Sequence, residues 1–130
     1  MNNLYEKEVG SVGHTNLFAS TTHPVDVKAV TLKAGQGIVK RGTVLGIATT
    51  TQLATTVDGS KTDGTELADS ILTDDVDTGE ASSTVNVVAT AYSSGSFNRQ
   101  ALLFGGTDKA DKHEKHLREL GIFMKDNLKY

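Results

Sequence analysis

Thr84-Val85-Asn86-Val87-Val88-Ala89-Thr90-Ala91-Tyr92 is the run on which the reading of the fold turns. Val85, Val87, Ala89 and Ala91 share one face if the backbone is extended, and such period-two alternation marks a half-buried strand. The rest of the chain speaks the same language. Thr occurs 17 times and Val 12 times among 130 residues, and both are β-branched residues that fit a pleated surface. With 13 Gly and 1 Pro, the turns must rest on Gly, Asn and Asp.

Upstream, residues 25–57 read as further strands. Val25, Val27 and Ala29 alternate, and Val30 and Leu32 continue after a one-residue phase change that suggests a bulge. Gly35-Gln36-Gly37 makes a turn. Ile38-Val39 and Thr43-Val44-Leu45 flank Lys40-Arg41-Gly42, which predicts a short hairpin with Gly42 at positive φ. Residues 58–80 carry eight acidic residues and one Lys, with turn signals at Asp58-Gly59, Asp63-Gly64 and Thr78-Gly79. The apolar piece Leu67–Leu72 between them is a short strand.

Downstream, Ser94-Gly95-Ser96 is a turn, and Ser96 or Asn98 caps a short helix reaching Leu103. The best helix spans Asp108–Leu120, capped by Thr107 or Asp108. Ala110, His113, Leu117 and Leu120 recur at helical spacing, Glu114 and Arg118 form an i,i+4 pair, and Gly121 fits the position after the last turn. Ile122-Phe123-Met124 closes as a strand. Residues 1–24 keep no period: Leu4, Tyr5, Val9, Val12, Leu17 and Phe18 are scattered among Gly, Ser, Thr, Asn and His, too sparse to offset the entropy of ordering. The expected organisation is a flexible arm over residues 1–24 and a β-rich domain over residues 25–130.

Composition excludes several classes of function. A net charge of −3 lacks the basic excess of a nucleic-acid binder. No apolar run reaches the roughly 18 residues that would span a bilayer. The first residues do not read as a signal peptide, so a soluble chain retained in the cytoplasm of the producing cell is expected. Cysteine is absent, which removes disulfides, thiolate nucleophiles and sulfur-ligated zinc.

Individual chemical motifs fall short of a site. His113 and His116 lie three apart on the predicted helix, but His113 sits on the apolar stripe and no third metal ligand follows at a recognisable spacing. Residues 74–80 imitate a calcium loop, yet Gly79 falls one position early and the twelfth residue from Asp75 is Asn86. Gly35-Gln36-Gly37 precedes no helix, and no serine occupies a nucleophile elbow. The expectation is a protein that is not an enzyme and takes no cofactor or metal.

Four segments, in order, carry more than any one of them: Gly37–Gly46, Ala68–Asp77, Ala91–Asn98 and Leu117–Met124. Together they resemble the lambda-type head decoration proteins of tailed phages, over roughly Val25 to Met124. The resemblance implies a mainly β fold with a minor α+β character: a small β-rich barrel or tulip-like domain, one or two short helices and an extended N-terminal arm. It implies a homotrimer at three-fold and quasi-three-fold sites on the outer surface of the expanded capsid, in the virion, with the major capsid protein as partner and no direct contact with nucleic acid or membrane. The capsid-binding arm would then use Leu4, Tyr5, Val9, Val12, Leu17 and Phe18. Two alternatives share parts of this pattern. Ile38–Leu45 resembles the hairpin of biotinyl and lipoyl carrier domains, which would make Lys33 or Lys40 the modified residue, and another trimeric virion accessory protein would share the oligomer.

Overall fold

A computed structural model describes residues 17–20 and 24–125. Its strands are β1 (Phe18–Ser20), β2 (Val27–Leu32), β3 (Ile38–Val39), β4 (Val44–Ile47), β5 (Ala54–Thr56), β6 (Ala68–Leu72), β7 (Val76–Asp77), β8 (Val87–Tyr92), β9 (Gly95–Asn98) and β10 (Ile122–Lys125). A single 3₁₀ turn covers Arg99–Ala101, and the helix α1 covers Ala110–Leu120.

Strands β2, β5, β4, β6 and β8 close into a barrel in that order. The quoted run supplies β8, which pairs antiparallel with all of β2, from Val27 opposite Tyr92 to Leu32 opposite Val87. Closure needs one parallel contact, Leu32 beside Ala54. The barrel is filled by the inward set Val30, Leu32, Leu45, Ala54, Leu72 and Ala91, with Val39 capping it. These are small and medium aliphatic side chains, as a tight five-stranded interior requires.

A second core lies outside the barrel. Val44 and Ile71, on the outer face of β4 and β6, pack with Leu17, Phe97, Leu102, Leu117, Ile122 and Met124. Leu117 comes from α1, Leu102 from the end of the 3₁₀ turn, and the rest from a three-stranded sheet ordered β10-β9-β1 and, for Leu17, the residue leading into it. In that sheet β9 runs parallel to β10 and antiparallel to β1. One side of the barrel wall is therefore roofed, and most of the β2–β8 side is bare among the described residues. The molecule is a small, mainly β domain, as its composition and alternation predict.

Several local expectations change. Ile38-Val39 and Thr43-Val44-Leu45 do not pair with each other: β3 pairs with β7, while β4 lies between β5 and β6. Gly42 does adopt positive φ (90°). Its N–H donates to Leu72 O and its carbonyl accepts from Leu103 N–H, so distant strands fix this turn instead of a hairpin partner. The phase change in β2 is not a bulge, because the β2–β8 register is unbroken. Val27 and Ala29 simply face solvent, while Val30 and Leu32 face the barrel interior. Val85 precedes β8 and is 76% exposed.

The short helix is only the 3₁₀ turn, capped by Asn98, whose side chain accepts the Gln100 N–H; Ser96 lies buried in β9. Helix α1 starts at Ala110, and neither Thr107 nor Asp108 is its N-cap residue. That position falls to Lys109, which makes no capping hydrogen bond. Asp108 is committed elsewhere, as described below. His113 and Leu117 are buried on the apolar stripe, whereas Leu120 is 44% exposed.

Candidate functional site

The sequence reading points to the N-terminal segment, and the structure shows how it joins the domain. Leu17 is 2% exposed in the outer core, and its carbonyl accepts the Asn98 N–H at 2.6 Å. One residue on, Phe18 lies opposite Phe97 across the β1–β9 pair. Its ring stacks on Phe97 at 5.1 Å and meets Tyr92 edge-on at 5.1 Å, while Tyr92 and Phe97 are 5.6 Å apart. Such aromatic contacts add about 0.5–1.5 kcal/mol each beyond area burial. Leu17 and Phe18, read from sequence as the last apolar residues of the arm, are thus structural members of the domain. Leu4, Tyr5, Val9 and Val12 lie outside the described residues.

Around this root the frame is held by charges. Arg99 grips Glu114 with both terminal nitrogens, at 2.5 and 2.9 Å, and Arg118 reaches the same carboxylate at 3.2 Å. The hydrogen bonds from Arg99 hold the Glu114 carboxyl below its ordinary range against the opposing effect of burial. This bidentate pair ties the 3₁₀ turn to the middle of α1, and planar forks of this kind outperform ordinary ion pairs.

A second clasp sits at the start of α1. The side chains of Asp108 and His113 are 3% and 4% exposed, with Asp108 Oδ2 2.7 Å from His113 Nε2. The same oxygen accepts the Gly59 N–H at 2.7 Å. Burial works to raise the Asp108 carboxyl, but the hydrogen bonds from His113 and Gly59 outweigh it and leave the group lowered. Phe104 stacks on the His113 ring at 5.6 Å. His113 is thereby a bridge between α1 and the 58–60 turn. His116 points elsewhere, with Nδ1 3.9 Å from Glu119.

The acidic zone is built into turns. Asp58 Oδ1 accepts from the Ser60 N–H and hydroxyl, Asp63 Oδ1 from the Thr65 N–H and hydroxyl, and Asp77 Oδ1 from the Gly79 N–H. Hydrogen bonds from Ser60 lower the Asp58 carboxyl and those from Thr65 lower Asp63. Each of the three side chains is thus tied to the backbone of its own turn, as expected of a turn-forming Asp. Among the described residues, no group of three or more His, Asp or Glu gathers as a metal site. Of the two candidates for carrier modification, Lys33 directly follows β2, and Lys40 lies between two strands that do not form a hairpin with each other.

The sequence that builds the barrel, its roof and β1 matches a known family. The model of the bacteriophage lambda head decoration protein D family matches residues 10–122. This chain belongs to that family. It is therefore a phage head decoration protein, a structural component of the virion capsid and not a member of a known enzyme class. No curated protein matches the chain. The family match begins at residue 10, within the stretch read as the arm, so the decoration-protein pattern extends beyond the β1 root. Sequence reading missed that root because Leu17 and Phe18 stand alone among polar residues. Their burial comes from partners some 80 residues away.

Proposed function

We propose that this chain binds as a homotrimer to the outer surface of the expanded phage head, at three-fold and quasi-three-fold sites, and reinforces it against the pressure of packaged DNA. The major capsid protein is the partner, and residues 1–16 supply the capsid-binding arm through Leu4, Tyr5, Val9 and Val12. Leu17 and Phe18 serve that arm as its anchor.

The anchoring of β1 is the observation that carries the reading. An arm that adds a strand to a capsid sheet transmits load only if its other end is held by the domain. Leu17 in the outer core and Phe18 between Tyr92 and Phe97 provide that hold. Strand addition draws its affinity from backbone hydrogen bonds. Ordering one arm costs several kcal/mol, so a single arm binds weakly. Three arms on one trimer make later contacts intramolecular, which raises avidity by about a hundredfold or more where the geometry fits.

Deleting residues 1–16 while keeping β1 tests the proposal. The expected product keeps its fold and trimer mass but no longer co-sediments with expanded heads. Full occupancy of heads by the truncated protein would overturn the role of the arm.

A further inference from the structure

The outer core roofs the β4–β6 side of the barrel and, at Tyr92, the end of β8, whereas the rest of the β2–β8 wall has no cover among the described residues. The outward side chains of β2 and β8 there are Val27, Ala29, Thr31, Val88 and Thr90. Val27 is 56% and Val88 71% exposed. None of the five is charged, although charged residues make up 22% of the chain. Val25 and Val85, 41% and 76% exposed, extend the apolar character just beyond the strands.

We propose that this bare wall is a subunit interface, covered by a second copy of the chain. The inference rests on the trimer reading above and specifies which surface makes the trimer. A ring of three joins unlike patches, so each copy must present the wall on one side and a counterpart on another. The described surface offers one. Ile38 and Leu103, 62% and 43% exposed, border a groove of about 260 Å³ with Phe104 and Thr56. No residue lines both patches.

Size and charge support the assignment. Two six-residue strands, rising about 3.3 Å per residue and about 4.8 Å apart, present a face on the order of 200 Å². That is about a quarter of the roughly 800 Å² per partner that a standard interface covers, and the remainder falls to the more polar rim around it. The rims are complementary. Exposed Asp26 precedes β2 at one end of the wall, and exposed Lys40 borders the groove. Neither forms an ion pair among the described residues.

Val27→Asp and Val88→Asp place a carboxylate on the wall at positions that do not contribute to either core. Light scattering after size-exclusion should give three times the 13.8 kDa chain mass for the wild type and a single chain mass for each variant, with unchanged far-ultraviolet circular dichroism. A wild-type mass of one chain overturns the trimer reading itself. A trimeric wild type with fully trimeric variants overturns the wall as interface, and loss of head binding by those trimers assigns the wall to the capsid instead. Because the chain has no cysteine, single Val88→Cys and Leu103→Cys proteins can be mixed and oxidised. Cross-links between the two variants are expected, and cross-links formed only between Val88→Cys copies overturn the pairing of wall with groove.

Discussion

Replacing Leu17 by Ala should weaken the whole domain, although Leu17 stands in a stretch that looks like a tail. The side chain is 2% exposed and packs in the outer core with Val44, Leu102 and Leu117. Its truncation removes three carbons, which at about 0.8 kcal/mol per buried methylene amounts to about 2.4 kcal/mol of transfer free energy. A residual cavity adds to this, and the site between a barrel wall, a helix and a sheet cannot collapse freely, so about 3 kcal/mol is expected. That corresponds to a loss of roughly a hundredfold in the folding equilibrium. Urea unfolding followed by circular dichroism measures it, at one fixed protein concentration because assembly also stabilises the fold. Leu67→Ala, at a side chain 54% exposed, is the matched control and should change stability by less than about 0.5 kcal/mol. A Leu17→Ala protein within about 0.5 kcal/mol of wild type, the ordinary range for surface substitutions, would refute the placement of β1 in the core.

The other expectations concern the clasps and the turn. The Asp108 carboxyl is lowered from 3.8 in the folded state, so its stabilisation is present above that value and lost as pH falls through the lower folded value. Asp108→Asn should cost about 1–3 kcal/mol at neutral pH and flatten the acid limb of a pH-dependent thermal melt; an unchanged acid limb would show that the Asp108–His113–Gly59 clasp is not linked to folding. Gly42→Ala forces positive φ on an L-residue and brings its Cβ within 2.8 Å of Ala101 O. A loss of about 2 kcal/mol or more is expected in the same urea assay, and a neutral substitution would contradict the turn geometry.

Elements set by local chemistry were legible from the chain alone. Helix α1 was, since Ala110, His113 and Leu117 keep a 3.6-residue period and Gly121 ends it. So were β8 and β6, where alternation or an apolar run bounded by turn residues leaves few choices. The positive φ of Gly42 was also readable, but the strands on either side of it were paired wrongly. A tight turn signals a change of direction and carries no information about which strands lie alongside. Asp108 shows the same limit: it has the chemistry of a helix cap, and the nearness of His113 and Gly59 gives it a different task.

The sequence by itself determined that this is a cysteine-free, β-rich phage head decoration protein, because composition, short-range periodicity and the order of its motifs are all written along one dimension. Tertiary structure alone decided that Leu17 and Phe18 belong to the domain, that the barrel closes through β2 and β5, and that the described residues leave one wall of it uncovered. Those outcomes depend on which distant strands share a register, and that choice is made by the fit of whole faces against each other.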